Sequence, residues 1–297
     1  MQSVRVQHFS DPACPWAYSA RPFHARLKWR FGDQLHWQLV TIGLSETATD
    51  YERRGYTPQR QVASQRTFRD RFGMPFALRV KPRMAGTARA CRAIIAVREQ
   101  APDRADAALR ALQLMQFTTD HLLDVDDHVR EALHGVSGID ADAATDRIDD
   151  PEIVALYQAD KEKARSAAGT AIEAQDRHST SDGPVRYTAP SIIFEHDGAS
   201  IVAGGFQPFE AYDLALANLA PDLERRPAPA SAAEVLAAFP DGLTTAEVAS
   251  VLRPSDLVDA DRVAAEEELL GFVAAGEATR EPLGQDALWG VPAAVPA

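Results

Sequence analysis

The sequence is poor in cysteine, in long apolar runs and in positive charge. Its 297 residues include two cysteines, too few for the disulfide framework that holds small secreted domains together. No apolar run approaches the roughly 20 residues that a membrane-spanning helix needs. Acidic side chains outnumber basic ones by 43 to 31, and the net charge of -12 argues against nucleic acid as a main partner.

The remaining composition is typical of a globular protein. Hydrophobic residues make up 45% of the chain and charged residues 25%, which permits a core of good size. Because the length exceeds that of a usual single domain, we expect one large domain and one small one. Residues 1–3 lead directly into a strand pattern without a secretion signal, so we expect a cytoplasmic protein with reduced thiols.

One cysteine lies in a setting that favours chemistry. The segment Asp11 to Tyr18 reads Asp-Pro-Ala-Cys-Pro-Trp-Ala-Tyr and follows an alternating, strand-like run from Val4 to Phe9. Apolar residues then recur at helical spacing, which places Cys14 at or just before the first turn of a helix. Such a position offers unpaired N–H groups and the positive end of the helix dipole, so it predicts a thiolate.

The motif resembles the active site of the DsbA-like branch of the thioredoxin superfamily. It is most similar to FrnE-like proteins and 2-hydroxychromene-2-carboxylate isomerases, in which the motif usually reads Cys-Pro-Trp-Cys-Tyr. Here Ala17 replaces the second cysteine, so a resolving attack cannot occur within the motif. The resemblance implies an α/β fold of thioredoxin type with a helical insertion, and thiol chemistry at Cys14.

Two further segments extend this resemblance to about residue 220. Thr188-Ala189-Pro190 precedes an apolar run where the family carries a cis proline facing the cysteine, which implies that Pro190 shapes the site and that the Ala189 backbone pairs with substrate. The segment from Gly86 to Arg92 is similar to a family stretch that usually reads Asn-Thr-x-x-Ala-His-Arg. In this chain Gly86 and Cys91 replace the asparagine and the histidine.

Without a second motif cysteine, Cys14 needs a thiol from outside the motif. One route is monothiol exchange on mixed disulfides, with glutathione or mycothiol as co-substrate. Another is the isomerase or kappa-class glutathione transferase route, in which a single Ser or Cys works on a bound small thiol. The remaining interpretations are a buried, inert Cys14 and a non-catalytic adaptor with a thioredoxin fold.

Other residues are assigned to the site by position or by resemblance. Pro15, Trp16 and Tyr18 are expected to shape it, although both aromatic residues also suit a core. Gly205, Phe206 and Gln207 precede a helix start that, by resemblance, would hold the γ-glutamyl carboxylate of a thiol peptide. Cys91 is interpreted as a core residue or, alternatively, as an auxiliary thiol. The histidines show no ligand spacing, and we expect no metal and no tightly bound cofactor.

Charge and secondary structure outside the motifs give three further expectations. Arginines between 53 and 71 form a basic stretch that either draws an anionic substrate or lies on a solvated helix face. His178 and Arg186 are expected in a surface loop. The run from Leu35 to Leu44 is typical of a central strand.

Apolar periodicity and capping signals predict the remaining elements. The first strand, the first helix and the Leu35 strand predict a β-α-β unit, and the segment from Tyr51 to Pro82 predicts short helices and loops over the active-site face. Residues 196–198 predict a hairpin turn, and Thr244 predicts a capping box before a short helix. Further helices are predicted at Met84 to Glu99, Arg104 to Thr118, Asp127 to His134, Pro151 to Ala174 and Phe209 to Leu219.

The sequence predicts a DsbA-like domain over residues 1–220, with a helical insertion at about 52–180 and a linker at 221–231. Residues 232–297 predict three helices and a hairpin, resembling a winged helix. This segment carries twelve acidic and three basic side chains, so we expect a structural or protein-contact role and no binding of nucleic acid. A homodimer is a further possibility that the sequence leaves open.

Overall fold

The computed structural model describes residues 3–292, and within them the main sheet has four strands in the order β2-β1-β5-β6. β1 pairs in parallel with β2 and antiparallel with β5, and β5 pairs antiparallel with β6. This confirms the predicted β-α-β unit. The four strands are β1 Val4–Ser10, β2 Leu35–Thr41, β5 Ser191–His196 and β6 Ala199–Ala203.

The prediction that the Leu35 strand is central is wrong, because β5 takes the other side of β1 and leaves β2 at an edge. Helix α9, Pro151–Ala164, covers this edge. Its Asp160 accepts hydrogen bonds from the backbone N–H and the hydroxyl of Thr41, at 2.8 and 3.0 Å. The second half of the strand, from Leu39 to Thr41, is buried although the strand pairs on one side, whereas His36 and Gln38 in its first half are exposed.

The helix predicted after Cys14 is divided in two. α1, Pro15–Ser19, ends at Ala20, and α2, Arg21–Phe31, begins directly afterwards. Pro22 explains the break, because proline has no N–H to bond the carbonyl of Tyr18 one turn earlier. On the same side of the sheet, α11, Phe209–Leu219, has the predicted bounds.

The insertion is mainly helical, as expected. Its largest apolar cluster gathers around α5, whose residues from Ala93 to Val97 are fully buried. The structure adds one unpredicted helix, α8, and ends α9 ten residues before the predicted Ala174. The elements of the insertion, besides α9, are α3 Ala48–Arg53, α4 Pro58–Phe72, α5 Ala88–Gln100, α6 Ala105–Thr118, α7 Asp126–His134, α8 Ala141–Asp146, α10 Ala171–Ala174 and the paired strands β3 His178–Ser179 and β4 Arg186–Tyr187.

The C-terminal residues form three helices and a three-stranded antiparallel sheet in the order β7-β9-β8. The capping box predicted at Thr244 is present, and its Glu247 is buried and paired with Arg110 of α6. The predicted hairpin is also present. The elements are α12 Ala232–Ala238, β7 Leu243–Thr244, α13 Thr245–Leu252, α14 Arg262–Ala274, β8 Thr279–Leu283 and β9 Asp286–Gly290.

This C-terminal unit, residues 232–292, shares a core with α2. Ala25 and Trp29 belong to the same buried cluster as the apolar residues of the unit. Arg26 donates to the carbonyl of Ser250 at 2.8 Å. The connecting residues 221–231 contain no helix or strand, and they are tied to α2 by a bond from the Trp29 indole to the Pro227 carbonyl.

No helix among residues 3–292 is long and apolar enough to cross a membrane. The same residues contain no group of His, Cys, Asp and Glu side chains arranged to hold a metal ion.

Candidate thiol active site

Cys14 is the N-cap residue of α1, in the loop that follows β1. Its N–H donates to the Asp11 carbonyl at 3.2 Å, and its carbonyl accepts from Tyr18 at 3.0 Å. The Sγ atom lies 3.0 Å from the carbonyl oxygen of Ala189, to which the thiol donates. The Ala189–Pro190 peptide bond is cis. Two segments that the sequence pattern singled out therefore meet at one sulfur atom.

Burial raises the pKa of the Cys14 thiol to about 12. The side chain is 6% exposed, and loss of hydration disfavours the charged thiolate. Hydrogen bonds from the backbone of Ala17 and Trp16 act in the opposite direction and do not compensate, while the nearby Asp11 raises the pKa further. Burial therefore opposes the predicted thiolate, and Cys14 is a protonated donor to the Ala189 carbonyl in this structure.

Asp11 organises the loop beneath Cys14. Its fully buried carboxyl accepts from the N–H of Ala13 at 2.9 Å, the N–H of Leu44 at 2.9 Å and the hydroxyl of Thr87 at 3.1 Å. Burial raises the pKa of this carboxyl, and these hydrogen bonds act against that shift. Sequence reasoning noted Asp11 in the motif and assigned it no role, although a carboxylate before a Pro-x-Cys turn is suited to bonding nearby N–H groups.

Gly86 allows the backbone just before α5 to approach the backbone at Glu46 closely. A Cβ atom at this position would lie 2.4 Å from the carbonyl oxygen of Glu46, closer than van der Waals contact permits. The next residue, Thr87, donates its N–H to the Ser45 carbonyl at 2.7 Å. The glycine that stands where the related motif has asparagine is thus explained by this close approach of backbones.

Cys91 lies away from the site opening. It is fully buried in the apolar cluster of the insertion, and its Sγ atom is 3.7 Å from a carboxyl oxygen of Asp11. Both cysteines are free. Burial holds the pKa of the Cys91 thiol well above its usual value. These features favour the interpretation of Cys91 as a core residue.

A cavity of about 680 Å³ opens beside Cys14, and we call it the Cys14 cavity. Pro15 and Trp16 line it next to the thiol, and Ala189 lines it from the cis peptide. α3 and α4 form its opposite wall, which confirms the expectation that this part of the insertion lies over the site. Its charged lining residues, among those the structure describes, are Arg54, Arg60 and Arg186.

Arg186 is not in a surface loop, as the sequence reasoning expected. It is 5% exposed and lies in β4. Its guanidinium pairs with Asp182 at 2.7 Å and donates to the carbonyl of Tyr187 at 3.0 Å. His178 lies in the neighbouring strand β3 and is half-buried.

The two motif aromatics take different positions. Trp16 is 42% exposed, and its ring packs edge-on against Phe68, with centroids 4.8 Å apart. Tyr18 is fully buried behind the site, where its hydroxyl donates to the Pro75 carbonyl at 2.9 Å and its ring stacks on Phe117. Tyr18 thus supports the site without lining the cavity.

The segment Gly205 to Gln207 lies beside the site. Phe206 packs against Trp16, with ring centroids 5.5 Å apart. The N–H of Gly205 donates to the Ser191 hydroxyl, and the Gln207 amide donates to the Gly204 carbonyl. None of the three is among the described residues that line the Cys14 cavity.

Comparison with solved structures identifies the fold. A candidate protein disulfide isomerase from Nitrosomonas europaea superposes with a TM-score of 0.57 at 14% identity, over 73% of this chain and 97% of that one. The cytosolic disulfide reductase DsbM from Pseudomonas aeruginosa gives 0.51 at 17% identity, over 73% of this chain and all of that one. The structure of the same reductase with GSH superposes with a TM-score of 0.50.

A protein from Streptomyces coelicolor assigned to the DsbA oxidoreductases gives a TM-score of 0.52 at 18% identity, over 72% of this chain and 89% of that one. The chain has the DsbA-like thioredoxin fold. Neither a protein-family model nor a curated protein sequence matches the chain. In the DsbA-like fold, the loop after β1 and the turn before β5 bring Cys14 and the cis peptide together at one end of the sheet.

Proposed function

We propose that this protein is a monothiol-disulfide oxidoreductase in which Cys14 exchanges with low-molecular-weight thiols. The observation that carries the proposal is the position of the Cys14 thiol, which lies against the cis Ala189–Pro190 peptide and opens to a cavity of about 680 Å³. Ala17 occupies the place of a second motif cysteine, and Cys91 is fully buried and not among the described residues that line the Cys14 cavity. A thiol from solution therefore has to complete the cycle.

The reaction balances in two exchanges. Cys14 first loses its proton to solvent, and its thiolate attacks the small-thiol sulfur of a mixed disulfide R–S–S–G. An S–S bond forms between Cys14 and G, and R leaves as a thiolate that takes a proton from solvent. A second molecule of the small thiol, as its thiolate, then attacks the G sulfur of the adduct. G–S–S–G forms, and Cys14 is released in its reduced state.

The small thiol is proposed to be glutathione or mycothiol. A size argument supports this choice, because the Cys14 cavity falls within the range of 300–1,000 Å³ of small-molecule sites. The structure of DsbM with GSH offers a second support, since that reductase has the same fold. Ala189 is proposed to exchange its bond with Cys14 for backbone pairing with the bound thiol.

A second candidate is the isomerase or transferase type of reaction. The observation that favours it is the protonated state of Cys14, which burial stabilises. A protonated thiol can donate a hydrogen bond to the thiolate of a bound small thiol and hold it for attack on another substrate. In that case Cys14 orients a co-substrate and forms no covalent adduct.

We also propose a winged-helix-like architecture for the C-terminal unit, with a supporting role. Its order of helix, strand, helix, helix, strand, strand supports the winged-helix-like architecture. The core that it shares with α2 supports the structural role. The twelve acidic residues in this part of the sequence leave protein contact as the alternative role.

The test is incubation of the reduced protein with glutathione disulfide, followed by intact mass spectrometry. We expect one glutathione on Cys14 in the wild-type chain and in Cys91→Ala, none in Cys14→Ser, and release of the adduct by added glutathione. If Cys14 took up no glutathione in the wild-type chain and in Cys91→Ala, the exchange reaction would be refuted. If reduced glutathione then still bound to the unreactive protein, the orienting role would be favoured, and if it did not, the adaptor.

A further inference from the structure

The described charged residues that line the Cys14 cavity are all basic, although the chain as a whole carries a net negative charge. The cavity's described lining residues include three arginines and no aspartate or glutamate, although the chain carries a net charge of -12. Charges of one sign on the walls of a cleft raise the local concentration of ions of the other sign. The cavity is therefore suited to an anion.

Arg54 is held on the cavity wall by neutral partners. Its guanidinium donates to the carbonyls of Asp50 at 3.0 Å and Leu44 at 2.9 Å, and it lies 4.8 Å from the ring centroid of Tyr51. Carbonyl acceptors fix the orientation of the group without forming an ion pair, and the nearby Asp50 carboxylate offsets only part of its charge. Leu44 also donates to Asp11, so this arginine is anchored to the loop that positions Cys14.

Arg60 lies across the turn from Arg54. It belongs to the first turn of α4 and donates to the carbonyl of Gly55 at 2.6 Å, which is again a neutral acceptor. Gly55 forms the turn between α3 and α4 with a φ of 77°, in the left-handed region that favours glycine. Both guanidinium groups are therefore presented on one rim.

The third arginine is different, because Arg186 is buried and held in an ion pair. Its partner Asp182 also pairs with Arg165, so this carboxylate offsets only part of the charge of the two guanidinium groups. Among the described residues, no carboxylate forms an ion pair with Arg54 or Arg60. These two arginines therefore remain available to bind an anion.

We propose that the Cys14 cavity selects carboxylate-bearing thiols and disulfides, and that Arg54 and Arg60 bind the carboxylate while the sulfur lies at Cys14. This inference rests on the proposed exchange function and, of the two proposed small thiols, selects glutathione, because mycothiol carries no carboxylate. Guanidinium groups bind carboxylates through paired, charge-assisted hydrogen bonds. The basic stretch of the sequence thus divides into two substrate-facing arginines and a solvated remainder that includes the exposed Arg66.

The test compares three small symmetrical disulfides that differ in charge. They are the dianionic 3,3′-dithiodipropionate, the neutral bis(2-hydroxyethyl) disulfide and the dicationic cystamine. In each reaction the Cys14 thiolate attacks one sulfur, an S–S bond to that half forms, and the other half leaves as a thiolate. The second-order rate of adduct formation is measured by mass spectrometry in the Cys91→Ala chain, at fixed pH and at two salt concentrations.

We expect the dianion to react about tenfold faster than the neutral disulfide, which corresponds to about 1.4 kcal/mol. Cystamine should be the slowest of the three, and added salt should reduce the differences. Arg54→Gln and Arg60→Gln should each remove most of the preference for the dianion, measured within each variant as the ratio of the dianion rate to the neutral rate. Arg54→Lys should keep part of the preference, since it keeps the charge.

Arg66→Gln is the matched control, because it removes the same charge from an exposed position of α4 outside the cavity lining. An equal loss of preference in this control would assign the effect to the overall charge and overturn the inference. Equal rates for all three disulfides in the unaltered chain would also overturn it, while leaving the exchange function in place.

A binding measurement distinguishes failure of the carboxylate site from failure of the proposed exchange reaction. In Cys14→Ala, calorimetric titration with 3,3′-dithiodipropionate reports recognition without chemistry. Binding that depends on Arg54 and Arg60 supports the carboxylate site even if Cys14 reacts with no disulfide. Absence of binding, together with an unselective Cys14, refutes the site.

Discussion

The Sγ atom of Cys14 donates to the carbonyl oxygen of Ala189, a residue 175 positions later, at a distance of 3.0 Å. This hydrogen bond requires a proton on sulfur. The thiol is therefore held by the same peptide that, in the proposed reaction, pairs with the substrate. The proposed reaction has to break this contact before the sulfur can attack.

The pH dependence of Cys14 alkylation follows from this state. With a pKa of about 12, the thiolate fraction rises about tenfold for each pH unit between 7 and 11. The rate of reaction with iodoacetamide in a Cys91→Ala background should rise in parallel, without a plateau below pH 10. A plateau near pH 7 would show that the thiol is activated without a ligand.

Asp11→Asn should accelerate the alkylation of Cys14 at fixed pH. The Asp11 carboxylate raises the pKa of the Cys14 thiol, so its removal lowers that pKa. The same change places an amide N–H₂ against backbone donors, and the free energy of unfolding should fall by about 1–3 kcal/mol. Asp33→Asn, at an exposed position, is the control for both measurements and should change neither.

Removal of the buried charge at Glu247 should destabilise the whole chain. Glu247 is 2% exposed and accepts from Arg110 at 2.6 and 3.1 Å. Glu247→Gln leaves the Arg110 charge buried without its partner, which typically costs about 3–5 kcal/mol. Urea unfolding followed by circular dichroism measures the loss, and the exposed Glu267→Gln should stay within about 0.5 kcal/mol of the unaltered chain. A loss of less than 1 kcal/mol in Glu247→Gln would contradict the burial of this pair.

Stability should fall as the pH drops below about 6.5. Burial lowers the pKa of His8 to about 3 and lowers that of His24 well below 6.5. Between these values the unfolded chain takes up protons that the folded chain does not, so the free energy of unfolding decreases by about 1.4 kcal/mol for each pH unit and histidine. The charged groups that face His8 are Asp106, Arg21 and Lys28.

Urea unfolding at pH 7, 6 and 5 measures this slope. His8→Gln should reduce the slope, whereas His36→Gln, at an exposed position, should leave it unchanged. Equal slopes in the unaltered chain and in His8→Gln would show that His8 accepts a proton in the folded state.

The fold was largely predictable because its signals are local. The strand, turn and proline pattern around Cys14, the turn at Asp197 and Gly198, and the capping box at Thr244 each involve a few adjacent residues. Both turn residues have positive φ values, 47° and 79°, as a tight hairpin requires. Such patterns can be recognised in the sequence without knowing which distant residues they contact.

The features that the sequence did not predict depend on contacts between residues that lie far apart in the chain. The pKa of Cys14 is set by burial beneath a segment 175 residues away, which overrides the helix start that the sequence displays. Arg186 is buried because its guanidinium bonds the Asp182 carboxylate, the Tyr187 carbonyl and the Ser181 hydroxyl. The basic stretch did signal the arginines of the cavity, but no local pattern separates Arg54 and Arg60 from the solvated Arg66.

The shared core of α2 and the C-terminal unit has a consequence for synthesis on the ribosome. Arg26 bonds the carbonyl of a residue 224 positions later, and Trp29 lies in a cluster completed by residues near the end of the chain. The outer face of α2 thus stays bare until residues 232–289 have emerged from the ribosome. Co-translational folding can build the insertion early, but the helix that follows the thiol loop is fixed in place only after the C-terminal unit has been synthesised.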